Sequence, residues 1–161
     1  MDEISMKILL HAGLGDIGSL CFLWVLVEII NAREEGLKRA RIVSMIGFLG
    51  ILSSWIVGGY YYVVTYGSQV KPVIIASDFK WAHSIFMETK EHVFLFLPIL
   101  ACLVWLVLQS TKSWKGMTDR GRRAMGTISF LIFLIGFSMA LMGFIIAVGA
   151  RAGLAAGVTL P

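Results

Sequence analysis

Four long apolar segments constrain the fold of this chain more than any other feature of its sequence. They cover residues 8–30, 42–64, 84–108 and 125–148. Each is long enough to cross a hydrocarbon core of about 30 Å, which takes roughly 20 helical residues. The segments are continuously apolar and do not alternate in polarity, so we expect helices and not strands. The sequence therefore predicts an all-α, integral membrane four-helix bundle that forms a single domain over residues 1–161.

The composition agrees with lipid as the surrounding solvent. Of the 161 residues, 58% are hydrophobic and 15% are charged, whereas soluble domains average about 25% charged residues. A net charge of +4 is compatible with a nucleic-acid partner, but the basic residues do not lie on an amphipathic or aromatic-rich segment. They are concentrated in two loops between apolar segments. We therefore expect the lipid bilayer as a partner and no nucleic acid.

The two basic loops predict the orientation of the bundle. Nine of the 14 lysines and arginines lie in them: Arg33, Lys38, Arg39, Arg41, Lys112, Lys115, Arg120, Arg122 and Arg123. Cytoplasmic loops of membrane proteins carry an excess of such residues. Both termini are thus predicted on the non-cytoplasmic side, in what we expect to be a prokaryotic cytoplasmic (inner) membrane. Trp81 and the tyrosines at positions 60–62 and 66 fit the aromatic belt of the opposite, outer face.

Ionisable residues inside the apolar segments occur on the first and third helices. Such a residue costs about 2.5–3.5 kcal/mol at the helix centre on insertion scales and therefore marks a candidate functional site. The residues are His11, Asp16 and Glu28 on the first helix, and His83, Glu88, Lys90, Glu91 and His92 on the third. All except Glu28 fall in the outer half of the predicted bilayer. We therefore expect a site there, between these two helices.

Helical spacing refines the expected site. Glu88 and His92 are four residues apart and share one face of an α-helix, whereas His83 is nine residues from His92, about half a turn around the helix. His11 and His92 lie at similar depths, so we predict that they form a pair, with His83 as a substitute. Glu88 or Asp16 is predicted to accept the free ring N–H of a ligand histidine. No catalytic residue is predicted.

With this histidine pair and its glycine-rich helices, the chain resembles the small four-helix membrane cytochromes of the b type. The resemblance rests on four helices, on His11 and His92 near one face, and on the glycine lines of the second and fourth helices. It implies a haem b with these histidines as axial iron ligands, and electron transfer with a quinol or a redox protein partner. Known members often carry four haem histidines, whereas this chain has three histidines in all. At most one bis-histidine haem is then expected, in a homo-oligomer or a subunit of a complex.

The glycine lines and the remaining basic residues have their own interpretations. Lines of small residues allow helices to approach closely, and they also leave room for a flat macrocycle. A haem would turn its propionates toward basic side chains at the outer surface, namely Lys80, Lys90 or Arg151. Pro98 predicts a kink in the third helix, because proline removes a backbone hydrogen bond. The segment past Arg151 is assigned no structure.

Two alternatives use overlapping residues. Asp16, Glu88, Glu91 and His92, together with His11, form a mixed carboxylate and imidazole set that suits a single transition metal or proton handling. Alternatively, the chain is a structural accessory subunit that docks onto a larger complex through the line of Gly136 and Gly143. A hydrolase is not supported, because no nucleophile elbow, HExxH sequence or P-loop is present. Any catalysis is expected to be quinol or metal redox chemistry.

Overall fold

The computed structural model describes residues 3–158, with side chains from residue 6 onward. The helices are α1 (Glu3–Asn31), α2 (Glu34–Tyr61), α3 (Lys71–Ile75), α4 (Glu88–Val93), α5 (Phe96–Ser110) and α6 (Asp119–Ala155). Two π-helical segments, Tyr62–Val70 and Ala82–Met87, precede α3 and α4, and a 3-10 turn at Trp114–Gly116 precedes α6. This described part of the chain contains no strand, which confirms the all-helical prediction.

Four helical stretches are long and apolar enough to cross a membrane: Met6–Asn31, Glu34–Ile75, Ala82–Ser110 and Asp119–Ala155. They coincide with the four apolar segments of the sequence. Large apolar side chains such as Ile30, Ile99 and Phe144 are strongly exposed on the outer surface of the bundle. Such a surface suits lipid, since soluble monomers rarely expose large contiguous apolar patches.

The second and fourth helical stretches are longer than the sequence predicted. The second was expected to end at residue 64 but continues through the π-helical segment and α3 to Ile75. The fourth continues to Ala155, so the segment past Arg151, which was assigned no structure, begins as helix. The two extensions pack together, because Gly149 and Gly153 allow Ala82 and Val73 to approach α6 closely. We call residues 62–87 and 145–155 the cap.

The third helical stretch is interrupted at residues 94–95, between α4 and α5. Proline has no N–H, so Pro98 leaves the carbonyl oxygen of Phe94 without its usual helical donor. That oxygen instead accepts the N–H of Leu97 at 3.3 Å, a tighter turn than an α-helix has. The break lies where the proline predicted a kink.

The closest helix approach is between α1 and α2, and glycines allow it. A Cβ atom added to Gly18 would lie 2.9 Å from the backbone nitrogen of Ile51 and 3.0 Å from the carbonyl oxygen of Gly47. One added to Gly50 would lie 3.2 Å from the Cα atom of Gly18. On α6, a Cβ atom at Gly136 would overlap the hydroxyl of Ser19. The glycine lines are therefore used in packing within the chain, including the line through which docking onto a larger complex was considered.

Polar contacts fasten α1 to α2 at the end of the bundle that carries the basic loops, which we call the basic end. The Glu28 carboxylate is only 5% exposed. It accepts hydrogen bonds from the Arg39 guanidinium at 2.7 and 3.0 Å and from the Trp24 indole at 3.1 Å. Gly36 leaves space for this carboxylate, since a Cβ atom there would overlap it. A charge buried in this way is stable only when it is paired and hydrogen-bonded.

Replacing a glycine at the α1–α2 contact should destabilise the bundle. We expect Gly18→Ala to lower the free energy of unfolding by about 1–3 kcal/mol, the usual cost of overpacking, because its close neighbours are backbone atoms that cannot easily move. Gly13→Ala on the same helix is the control, since a Cβ atom there meets nothing within 4 Å. The control should be neutral or more stable by up to about 1 kcal/mol. Unfolding in mixed micelles, followed by circular dichroism, distinguishes the two variants; equal effects would contradict the proposed packing role.

Candidate functional site

The three histidines lie at the opposite end of the bundle from the basic loops, and we call this the histidine end. They occupy three different environments. His11 lies between α1 and α2, His83 is buried in the cap, and His92 is exposed on α4. The candidate site therefore has three separate parts, each built on its own helices.

His11 is held in the α1–α2 contact by backbone and hydroxyl groups. Its Nδ1 atom lies 2.9 Å from the carbonyl oxygen of Ser54, and the Ser54 hydroxyl donates to the carbonyl oxygen of His11 at 2.7 Å. A carbonyl can only accept, so Nδ1 carries the proton and Nε2 is left as the acceptor. Gly58 makes room for the ring, because a Cβ atom there would lie 2.5 Å from Nδ1. The edge of the Phe94 ring contacts the imidazole, with 6.0 Å between the ring centroids.

His92 does not share this environment. Its Nδ1 atom lies 2.7 Å from the carbonyl oxygen of Glu88, one turn earlier, and its side chain is exposed. Phe94, which contacts His11, is two residues further along, and two helical residues are separated by about 200° around the axis. His92 therefore points away from His11. The structure therefore does not bring the predicted pair together, and bis-histidine haem ligation by one chain stays a prediction.

The predicted partners of the ligand histidines also lie elsewhere. The ring N–H groups of His11 and His92 donate to backbone carbonyls, not to the carboxylates of Glu88 or Asp16. Asp16 is exposed on α1, within electrostatic range of His11 and Lys90. In residues 3–158, no group of three or more His, Cys, Asp or Glu side chains is arranged to hold a metal ion. The mixed carboxylate and imidazole set is therefore not assembled.

The basic side chains expected near haem propionates differ in their exposure. Lys80 and Arg151 are exposed at the cap. Lys90 is half-buried and turned toward α6, where its Nζ atom lies 3.3 Å from the position that a Cβ atom on Gly143 would take. A lysine on this inward face places a positive charge between the helices, and the carboxylate of Asp16 is within its electrostatic range.

A buried tyrosine–histidine contact lies in the cap. The hydroxyl of Tyr66 is 3.0 Å from Nδ1 of His83, and these side chains are only 1% and 4% exposed. Nε2 of His83 lies 3.9 Å from the Glu88 carboxylate, which is 56% exposed. The phenol, the imidazole and the carboxylate thus form a row that runs from the interior of the cap to its surface. We call Tyr66, His83 and Glu88 the cap triad.

Two more tyrosines extend the aromatic part of this site. The Tyr62 ring stacks on that of Tyr66 with 5.5 Å between centroids and 21° between planes, and the Tyr61 ring lies 6.4 Å from it. The Tyr62 hydroxyl also interacts with the carboxylate of Glu91. These tyrosines had been interpreted as an interfacial belt, yet Tyr66 is a core residue of the cap. Their clustering in the sequence was the only signal that could have indicated a site here.

The unusual helix geometry of the cap explains how the triad forms. Tyr66 belongs to one π-helical segment and His83 to the other. In a π-helix the backbone bonds join residues five apart, so His83 and Glu88 come to the same side. Five residues along an α-helix would instead separate them by about 140°. π-Helices account for well under 1% of residues and occur frequently at functional sites, which makes the cap triad the best candidate site.

Comparison with known proteins adds no family to this description. The chain matches no protein-family profile, and it has no significant similarity to a curated protein or to a solved structure.

The position of the His11 ring depends on the absence of a side chain at Gly58. Gly58→Ala should displace the imidazole from Ser54, because the added methyl would overlap the ring. Gly59→Ala is the matched control, since a Cβ atom at the next residue meets nothing within 4 Å. The ring nitrogen chemical shifts of His11, read by NMR on histidine-labelled protein, should change in the first variant and not in the second. Unchanged chemical shifts in both variants would show that the His11 ring does not pack against Gly58.

Proposed function

We propose that this chain is a membrane-embedded redox subunit that exchanges protons with the outer face of the membrane through Tyr66, His83 and Glu88. The observation that carries the proposal is the cap triad, a hydrogen-bonded phenol and imidazole with an exposed carboxylate at the end. Each of these groups can accept and release a proton, and imidazole can do so at its two ring nitrogens. A row of such groups between a buried position and solvent suits proton transfer.

The orientation we propose places the basic end in the cytoplasm and the cap and both termini outside, in a prokaryotic cytoplasmic membrane. The nine basic residues of the two loops support it through the positive-inside rule. Trp114, Arg33 and Arg41 hold these loops together at one end: the Trp114 indole donates to the carbonyl oxygen of Arg33, and Arg41 donates to those of Leu108 and Thr111. Both basic loops therefore lie at the same end of the bundle, which supports placing both on one side of the bilayer.

Cysteine labelling in intact cells tests this orientation. In a background in which Cys21 and Cys102 are replaced by serine, a membrane-impermeant maleimide should label Asp78→Cys in the cap. It should label Gly116→Cys at the basic end only after the cells are opened. The reverse pattern would place the cap triad at the cytoplasmic face and would overturn the proposed direction of proton release.

The distribution of charge supports redox chemistry on one side over transport across the membrane. Residues 17–27, 42–59, 93–111 and 124–150 contain no acidic, basic or histidine side chain. The middle of the bundle therefore offers no row of acidic, basic or histidine groups from the cap to the basic end, such as a proton or ion transporter would need. A site that opens to one face suits a reaction that releases protons there. Oxidation of a quinol is such a reaction, since it yields a quinone, two protons and two electrons.

In this proposal the cap triad receives the protons, and a redox partner protein receives the electrons. A quinol dissolves in the lipid and reaches the cap from the bilayer, where the half-buried rings of Tyr61 and Tyr62 offer stacking surfaces. The Glu88 carboxylate is the exit to water because it is the exposed member of the triad. The chain then acts as a subunit of a complex, which agrees with a need for an electron acceptor outside its own residues.

Binding of a short-chain quinol analogue tests the proposal. Trp81 directly precedes the π-helical segment of His83, so its fluorescence reports on the cap. We expect saturable quenching by the analogue in nanodiscs, weakened about tenfold in Tyr66→Phe and in His83→Gln, because each change leaves a buried polar group unpaired. Tyr60→Phe is the control, since Tyr60 is exposed. Non-saturable quenching, or equal affinity in all variants, would refute quinol binding at the cap.

A second candidate function is a haem-b electron carrier, and the geometry of His11 favours it. Histidines that bind metals commonly donate their second ring nitrogen to a backbone carbonyl, as His11 does to Ser54. His11 therefore fits one axial position, whereas the other ligand would have to come from elsewhere in the chain or from a partner. A bound haem would supply one-electron redox chemistry.

A dithionite-reduced minus oxidised absorbance spectrum of the purified protein tests the haem candidate. Sharp α and Soret bands that disappear in His11→Ala but persist in His83→Gln would establish it. Bands that depend on His83 and not on His11 would transfer the ligand role to the cap. A flat spectrum would remove haem and leave the quinol proposal to be judged by its own binding data.

A further inference from the structure

A groove at the basic end lies between the last turns of α1 and the first turns of α6. It has a volume of about 500 Å³ and is open along one side. Leu26, Ile29 and Phe130 are among its apolar lining residues, and Arg122 and Arg123 lie at its basic rim. The proposed redox function uses none of these residues.

The two rim arginines have hydrogen-bonding capacity left for a ligand. Arg122 donates to the Asp119 carboxylate at 2.8 Å, and Arg123 donates to the carbonyl oxygen of Asp119 at 3.4 Å. A guanidinium has five N–H donors, so most remain available. The Asp119 side chain is 78% exposed, and solvent therefore weakens its hold on Arg122. The rim presents two cations and one screened anion.

The apolar lining lies at the right depth for a hydrocarbon chain. Phe130 is seven residues after Arg123 on α6, about 10 Å further along the helix axis. Gly126, between them, lies against α1, since a Cβ atom there would be in ordinary van der Waals contact with Leu26 at 3.4 Å and with Ile29 at 3.6 Å, and a larger side chain would occupy apolar space of the groove. A ligand that fits must therefore be anionic at the rim and apolar about 10 Å below it.

We propose that this groove binds an anionic membrane phospholipid, with its phosphate between Arg122 and Arg123 and an acyl chain along Leu26 and Phe130. Charge complementarity selects this occupant, since cytoplasmic leaflets carry anionic lipids and basic pockets between membrane helices bind their headgroups. The groove opens to the surface of the bundle at the level of the basic loops, where such headgroups lie in the proposed orientation. The lipid would join α1 to α6 at the end opposite the cap triad.

Native mass spectrometry of the full chain, released from micelles that contain a defined lipid, tests the proposal. We expect phosphatidylglycerol to remain bound where phosphatidylcholine does not. The double variant Arg122→Gln and Arg123→Gln should lower phosphatidylglycerol affinity by about tenfold or more, because each basic residue near the surface contributes to the attraction. Arg120→Gln is the control, since Arg120 lies on the same turn of α6 and does not line the groove.

Gly126→Leu distinguishes lipid binding in the groove from general electrostatic attraction, because it adds a side chain to the apolar part of the groove and leaves every charge unchanged. It should also lower phosphatidylglycerol affinity, and the unfolding transition of each variant shows whether the bundle is intact. An equal effect of Arg120→Gln, equal binding of phosphatidylcholine, or complete displacement of the lipid by inorganic phosphate would overturn the proposal. The quinol and haem measurements do not involve these residues, so failure here leaves the proposed function unaffected.

Discussion

The close contact between α1 and α2 is the constraint on which the rest of this structure depends. In lipid no hydrophobic force draws helices together, so association depends on packing and on polar contacts. Gly18, Gly47 and Gly50 bring the two backbones together, and a polar contact secures each end of the pair. Glu28 binds Arg39 at the basic end, and His11 binds Ser54 at the histidine end. The environment of His11 is thus a consequence of helix packing as much as of any function.

The number of long helices followed from the sequence because the length of each apolar segment determines it. An apolar segment of about 20 residues has to be helical in lipid, where each backbone polar group needs a partner. Helix ends do not follow from this rule. The second helical stretch, which ends with α3, and α6 extend past the apolar segments, and glycines at 149 and 153 let these extensions pack together in the cap. That contact joins residues about 80 positions apart in the sequence.

The depth of the candidate site residues followed from the sequence, whereas their directions around the helix axes did not. Depth along a helix placed the histidines correctly at one end, but depth does not determine direction around the axis. Lys90 and Phe94 face the bundle interior, so His92, between them, faces outward. The sequence makes His83 only a substitute ligand, because α-helical spacing puts it about half a turn from His92. The π-helical segment changes that spacing and brings His83 to Glu88, and sequence periodicity gives no indication of a π-helix.

The separation of charge along the bundle then limits what the chain can do alone. Its acidic, basic and histidine side chains are gathered towards two ends of the bundle. Under the proposed function, protons released at the cap would therefore find no row of such groups leading to the basic end. A coupled redox reaction benefits from that barrier, because protons and electrons leave the site by different routes. Electrons can cross an apolar interior to a nearby acceptor, whereas protons need a continuous row of polar groups. Tyr66 and His83 are buried and only Glu88 is exposed, so the proposed proton exit lies at one surface, and the proposed function assigns the electron acceptor to a partner subunit.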